Sequence, residues 1–351
     1  MTEFDKFESQ TVYYKSSENM SEVKSGSIST IITSPPYNLS KIYSDDKGQV
    51  YNDDQPLEEY FAFLARVWKE CFRVCTSSGV FFLNLWDSAS TQGLSERVAE
   101  LAVKSGFIRI QTIIWIKSIF GKGHYTPSGG RKRLNNVFEN IYVLVKDKRN
   151  YTLNPKAIGV PYTDKSNIGR YSDGDLRDAG NVWFIPYSQT TGATIKKGHD
   201  APFPLEVPIK CILLSGGKTV LDPFLGSGTT LAAAEILGKI GYGYEKFPRK
   251  NLIAEKIRSS KYIPSSAITI PHLELAVKLL AELNNMTPPG EMYEKIDFRF
   301  SKKEKQNMAI LETVLRDLDV TLPLMDHYKK TMSLHEQQRS RDLQHFLNKQ
   351  E

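Results

Sequence analysis

Residues 219–245 constrain the fold more than any other stretch of this 351-residue chain. Thr219-Val220-Leu221-Asp222 is a short β-prone run, and Pro223-Phe224-Leu225-Gly226-Ser227-Gly228 follows as a tight glycine loop. Residues 229–237 have helix-forming character, and Ile240-Gly241-Tyr242-Gly243-Tyr244-Glu245 is a second strand that ends in an acid. Two strands joined through a helix lie parallel, and a parallel sheet needs cover on both faces. The unit therefore predicts an α/β fold. It also predicts a ligand site, because glycines let backbone approach a bound molecule and a helix N-terminus offers free N–H groups to a carboxylate or phosphate. An acid about twenty residues beyond such a loop is placed to bind ribose hydroxyls. The spacing is not G-x-G-x-x-G, which argues against a dinucleotide-binding dehydrogenase, and the absence of Lys after Gly228 argues against a P-loop.

The same alternation recurs upstream. Ser29-Thr30-Ile31-Ile32-Thr33 reads as a buried strand, residues 57–75 as an amphipathic helix (Phe61, Leu64, Val67, Trp68, Phe72), and Val80-Phe81-Phe82-Leu83-Asn84-Leu85 as a core strand opened by Gly79. A helix over 95–105 and strands over 107–116 and 139–145 follow. From 148 to 200 the apolar runs give way to Gly, Asp, Asn, Ser and Thr, the texture of long loops. Regular α/β texture returns at Pro204 and runs to about Pro264. Beyond it, Leu273-Val277-Leu280-Leu283 and Ile310-Leu311-Val314-Leu315-Leu318 predict two amphipathic helices separated by Thr287-Pro288-Pro289-Gly290.

The sharpest local signal is Thr33-Ser34-Pro35-Pro36-Tyr37-Asn38. Consecutive prolines fix the backbone and remove two donors. The carbonyls of Ser34 and the prolines are then placed as acceptors for a group that carries N–H donors. Tyr37 offers a face on which a planar ring stacks. Alone, such a string is also a turn or a polyproline ligand. After a buried strand, and in a chain that carries the glycine loop at Asp222, it reads as a site.

Together these strings resemble the β-group DNA amino-methyltransferases. Ser34-Pro35-Pro36-Tyr37 is similar to the family signature Asn/Asp/Ser-Pro-Pro-Tyr/Phe, and Asp222-Pro223-Phe224-Leu225-Gly226-Ser227-Gly228-Thr229-Thr230 to its cofactor motif. Accompanying segments stand in the family's order: Ile114-Trp115-Ile116-Lys117, Asn136-Val137-Phe138-Glu139-Asn140-Ile141-Tyr142, Gly180-Asn181-Val182-Trp183-Phe184-Ile185-Pro186 and His199-Asp200-Ala201-Pro202-Phe203-Pro204-Leu205-Glu206. The resemblance covers roughly residues 12–264. It implies a Rossmann-like S-adenosylmethionine-dependent methyltransferase fold with a mostly parallel sheet, helices on both faces and a circularly permuted motif order. A catalytic domain over 1–264 would hold a target-recognition insertion at 151–197, and 265–351 would be a small helical C-terminal extension.

By the same resemblance, Ser34, Pro35, Pro36 and Tyr37 carry catalysis on a base flipped out of double-stranded DNA. Thr33, His199, Pro202, Phe203, Asp222, Pro223, Phe224, Gly226, Ser227, Gly228, Thr229 and Glu245 line the S-adenosylmethionine site, with Glu245 on the ribose. The Ser form of the signature is typical of cytosine-N4 enzymes and the Asp form of adenine-N6 enzymes, so Ser34 favours cytosine. Methyl transfer is direct, so no nucleophilic cysteine is needed, and no Pro-Cys pair is present. One departure stands out: relatives often carry Gly-Asp before the Ser-Pro-Pro-Tyr strand, whereas Tyr14-Lys15-Ser16-Ser17-Glu18 occupies that place, with Ser17 or Glu18 as the substitute.

Charge fits a polyanionic partner. The net charge is +6, and 265–351 holds 12 Lys plus Arg against 13 Asp plus Glu, so the positive excess lies in 1–264. Arg131, Lys132 and Arg133 on a Gly-Gly loop, with Arg170 and Arg177 in the insertion, are the DNA-contact candidates. Cys71, Cys75 and Cys211 form no metal-ligand spacing, so no metal is expected. Neither a signal pattern nor a membrane-length apolar run is present, which predicts a cytoplasmic, DNA-associated protein without membrane contact. A cognate restriction endonuclease and a second copy in a homodimer are further expected partners. Three alternatives stay open: adenine-N6 methylation, methylation of RNA or protein, and a non-catalytic DNA-binding protein on a decayed methyltransferase fold.

Overall fold

The computed structural model describes residues 3–38, 42–45, 48, 50–87, 91–119, 122–123, 136–162, 164–170, 174–185, 203–248 and 250–260. The chain divides into two units, Met1–Ser265 and Ser266–Glu351. The second unit, with the two helices expected there, lies outside the described residues.

A hairpin of β1 (Phe4–Phe7) and β2 (Gln10–Tyr13) precedes β3 (Ile28–Thr33). A separate small hairpin of β4 (Ile42–Ser44) and β5 (Val50–Asn52) leads into α1 (Leu57–Val74), β6 (Cys75–Leu85), α2 (Leu94–Lys104) and β7 (Ile108–Ile116). The two-residue strands β8 (Ser118–Ile119) and β9 (Lys122–Gly123) pair with each other, and β10 (Phe138–Val145) then returns to the main sheet. After the irregular stretch come β11 (Val182–Phe184), α3 (Glu206–Ser215), β12 (Thr219–Asp222), α4 (Thr229–Ile236), β13 (Ile240–Tyr244) and α5 (Lys250–Ser260).

Among the described residues, nine strands form one sheet in the order β1-β2-β13-β12-β3-β6-β10-β7-β11. From β2 through β6 every neighbouring pair is parallel. β10 runs antiparallel to both of its neighbours, and β11 adds a parallel edge strand to β7. The chain leaves β3 through α1 toward β6 on one side, and leaves β12 through α4 toward β13 on the other. The strand order thus reverses between β3 and β12, the place where open α/β sheets bind ligands beyond the strands' carboxyl ends.

Alternation along β3 shows how both faces are filled. Ile31 joins the cluster of α1 and α2 residues that includes Leu64, Trp68 and Val98. Its neighbour Thr30 bonds Ser215 of α3, Oγ1 to Oγ, at 2.7 Å. The α1 periodicity is realised as Tyr60, Leu64, Val67, Trp68 and Cys71 on the buried stripe. The Trp68 ring lies 5.3 Å from that of Phe81 and edge-on to Phe224 at 6.1 Å, so α1 also supports the glycine loop.

The strand over 80–85 extends back to Cys75, because Ile28 of β3 reaches that far along the neighbouring edge before its register shifts. The hairpin of β1 and β2 has no counterpart in the sequence reading. Each strand is four residues long, and β2 begins with Gln10, fully buried and polar. Its Nε2 is satisfied by Glu235 and the Lys239 carbonyl, a tertiary solution that leaves no apolar pattern. Of the described helices, none is long and apolar enough to cross a membrane.

Candidate active site

Strands β3 and β12 are hydrogen-bonded neighbours, with Thr30 opposite Val220 and Ile31 opposite Leu221. Their carboxyl ends release the Ser34–Tyr37 loop and the glycine loop side by side. Asp222 closes β12 and joins the two. Its Oδ1 accepts from the Thr33 hydroxyl at 2.6 Å and from the Phe224 N–H at 3.0 Å, and its Oδ2 from the Thr230 hydroxyl at 2.5 Å. Asp222 is 1% exposed, and burial raises its pKa to about 6 against the pull of these three donors. Thr33 is also fully buried. Both residues therefore anchor the two loops from beneath.

Above this anchor, Gly226 and Gly228 adopt φ of +56° and +88°, which only glycine takes without strain. Gly228 is the N-cap of α4 and supplies no side-chain cap, so the first N–H groups of the helix carry no side-chain cap beside the glycine loop. Phe224 is held by Phe63 and Trp68. Ser227 and Thr229 both accept from Lys256 of α5, at 2.7 and 3.0 Å. Glu245, just past β13, accepts from the Gly226 N–H at 2.7 Å and the Phe247 N–H at 2.9 Å, which fixes its carboxylate against the loop. Near the end of β2, Ser17 is buried and its Oγ has no hydrogen-bond partner among the described residues. Glu18 is engaged by Ser16 and by Arg66 of α1.

The loop after β3 is equally built in. The Pro36 carbonyl accepts from the Tyr60 hydroxyl at 2.7 Å. The side chain of Asn38, at φ +53°, pairs with the backbone of Gln55 in both directions. The carbonyls of Ser34 and Pro35 accept no hydrogen bond among the described residues. The Tyr37 ring packs on the core, and its hydroxyl lies 2.5 Å from Ser34 Oγ and donates to Glu139 at 3.3 Å. Glu139 is buried and also receives Asn84 at 2.6 Å and Lys117 at 2.9 Å.

The structure brings together Thr33, Ser34, Pro35, Pro36, Tyr37, Asp222, Pro223, Phe224, Gly226, Ser227, Gly228, Thr229 and Glu245 at one end of the sheet. Phe203 is half-buried just ahead of α3. His199, Pro202, Arg131, Lys132 and Arg133 lie outside the described residues. Arg170 and Arg177 are exposed on the irregular stretch, where the Arg177 backbone pairs with Val160. The sequence alone assigns no role to Tyr60, Asn84, Lys117 or Glu139. The signal present there is a charge beside each of two apolar runs, Lys117 directly after β7 and Glu139 as the second residue of β10.

Comparison with known proteins gives a consistent picture. The family model described as DNA methylase, for N6 and N4 methyltransferases, matches residues 28–256. The Type II methyltransferase M.MthZI of Methanothermobacter thermautotrophicus is 25% identical over 334 residues, covering 85% of this chain and 89% of that protein. The DNA adenine methyltransferase YhdJ of Escherichia coli (strain K12) is 28% identical over 242 residues, covering 64% and 74%. Among solved structures, the PvuII DNA methyltransferase (cytosine-N4-specific) aligns with a TM-score of 0.53 at 18% identity over 78% of this chain and 93% of that one, which bears on the fold alone.

Proposed function

The chain belongs to the N6/N4 DNA methylase family, and from that premise we propose that it methylates the N4 amino group of a cytosine extruded from a specific double-stranded DNA sequence, with S-adenosylmethionine as donor. One observation carries the reading: the Ser34–Tyr37 loop and the glycine loop leave adjacent strands and are tied by Thr33 and Asp222. A methyl donor on one loop would then face an acceptor nitrogen on the other.

The residues fit the donor. The uncapped start of α4 suits its carboxylate, the glycine positions admit close backbone approach, and Glu245 suits its ribose hydroxyls. When bound, the cofactor supplies an electrophilic methyl group. The protein's part is to position the acceptor. The Ser34–Pro35 backbone offers carbonyl acceptors to the amino group, which holds the nitrogen and withdraws its lone pair from conjugation with the ring. Tyr37 stacks on the base and stabilises positive charge developing on it. Such positioning and electrostatics supply most of the rate in a direct transfer. The three cysteines are buried, and burial raises the pKa of each thiol, to about 12 for Cys75, which fits chemistry without a thiolate.

Ser34 in place of Asp favours cytosine. Adenine N6 is the second reading, favoured by the adenine methyltransferase among the relatives. Relatives named Type II methyltransferases support a role in protecting DNA from a cognate endonuclease. The irregular stretch ends in β11, which joins β7 at Ile114–Ile116, directly before the Lys117 that pairs with Glu139, and this supports target recognition there. The test is methylation of plasmid DNA by purified protein, followed by nucleoside chromatography. N4-methylcytosine is the expected product; N6-methyladenine would replace the cytosine assignment, and no methylated base would refute the activity.

A further inference from the structure

Glu139, the second residue of β10, stands opposite Trp115 of β7 and is buried with Lys117. Its Oε1 accepts from Lys117 Nζ at 2.9 Å, and its Oε2 from Asn84 Nδ2 at 2.6 Å and the Tyr37 hydroxyl at 3.3 Å. The Lys117 ammonium lies 4.6 Å from the centre of the Trp86 ring. A buried ion pair is poor packing material, because desolvation consumes most of its attraction and apolar side chains fill the same space as well. This one places a carboxylate against the phenol of the loop that holds the base.

A salt-bridged carboxylate accepts hydrogen bonds and donates none. A phenol has one proton. With that proton directed to Glu139, the Tyr37 oxygen is an acceptor toward its other neighbours, Asn84 Nδ2 at 3.4 Å and the Ser34 hydroxyl at 2.5 Å. Ser34 must then donate to Tyr37, and its Oγ keeps only lone pairs for a group that meets it from the cleft. We infer that Glu139 is a positioning residue that fixes the direction of the chain Ser34 to Tyr37 to Glu139, so that Ser34 Oγ accepts from an exocyclic amino N–H and repels a carbonyl oxygen. This rests on the proposed function and deepens it, because the selected edge is the amino edge of cytosine or adenine, in preference to the keto edge of thymine or guanine.

The test compares Glu139→Gln, Tyr37→Phe, their double variant, and Lys117→Met/Glu139→Met, by steady-state methylation of plasmid DNA and by S-adenosylmethionine binding. The amide introduced by Glu139→Gln can turn an N–H toward Tyr37 and reverse the chain. The expected result is a kcat lowered about tenfold, with KM for DNA and cofactor Kd within about twofold. Tyr37→Phe should behave alike, and the double variant should be no worse than the poorer single, since both substitutions break one chain. Lys117→Met/Glu139→Met removes both charges together with the acceptor for the Tyr37 proton, and should show the same kcat loss with normal cofactor binding, which covers the case in which Glu139→Gln leaves Lys117 unpaired and does not fold. Losses that multiply in the double variant, or an unchanged kcat in the Lys117→Met/Glu139→Met protein, would overturn the inference. Tyr37→Ala judges the underlying reading separately: lost transfer there, combined with multiplying losses, refutes the role of Glu139 and leaves the reading standing, whereas full activity refutes both.

Discussion

The Thr33 hydroxyl donates to the Asp222 carboxylate at 2.6 Å, and this bond ties the strand that leads into the Ser-Pro-Pro-Tyr loop to the strand that leads into the glycine loop. Thr33 and Asp222 stand 189 positions apart in the sequence and meet through this buried side-chain bond, at the ends of two paired strands. The consequences of that arrangement can be measured.

Asp222 sets a pH dependence. Its pKa is raised to about 6 by burial, above the ordinary carboxylate value. A raised value means that the stability it contributes is fully present below about pH 4 and is lost as pH rises through about 6, a span of about 3 kcal/mol at most. Asp222→Asn cannot titrate. In urea denaturation, wild-type stability should therefore fall relative to Asp222→Asn between pH 4 and 6, and the difference should be flat above about pH 7.

Gly228→Ala should weaken cofactor binding. The residue sits at φ +88° as the cap of α4, and an added Cβ would lie 3.4 Å from Ile253 Cγ2. A non-glycine residue held there costs about 1–2 kcal/mol, and the loop relieves that strain by turning its N–H groups away from the cleft. Equilibrium dialysis with labelled S-adenosylmethionine should show Kd raised about tenfold.

These anchors show what the sequence made legible and what it hid. The unit from Thr219 to Tyr244 was readable because glycine, acid and apolar residues sit at fixed spacing within one segment. The Ser34–Tyr37 loop was readable because two prolines and a tyrosine stand together directly after a β-prone run. The Thr33–Asp222 bond was not, because a tertiary contact leaves no local periodicity. Neither was the cluster of Asn84, Lys117 and Glu139, assembled from β6, β10 and the residue after β7. The hairpin of β1 and β2 was hidden by its short length and by Gln10, whose burial is permitted only by its partners on Glu235 and Lys239.

The thiols should be inert. Cys71, Cys75 and Cys211 are buried, and burial raises all three pKa values. Native protein treated with N-ethylmaleimide at pH 7.5 should keep its methylation activity, with mass spectrometry showing no adduct on the three residues until denaturant is added. Rapid labelling with loss of activity would contradict the buried placement.

Arg131, Lys132 and Arg133 are proposed to contact DNA phosphates. Replacing all three with Ala should weaken binding and reduce the slope of log K against log salt by up to about 3, near one unit for each lost phosphate contact. An unchanged slope in a fluorescence-anisotropy titration would remove this loop from the interface.

The most direct measurement separates cofactor binding from methyl transfer in Tyr37→Ala. If the two loops form one active site with distinct duties, the variant binds S-adenosylmethionine with Kd within about twofold of wild type while single-turnover transfer to plasmid DNA falls about 100-fold or more. Transfer at the wild-type rate would contradict the assignment of the Ser34–Tyr37 loop to the reacting base.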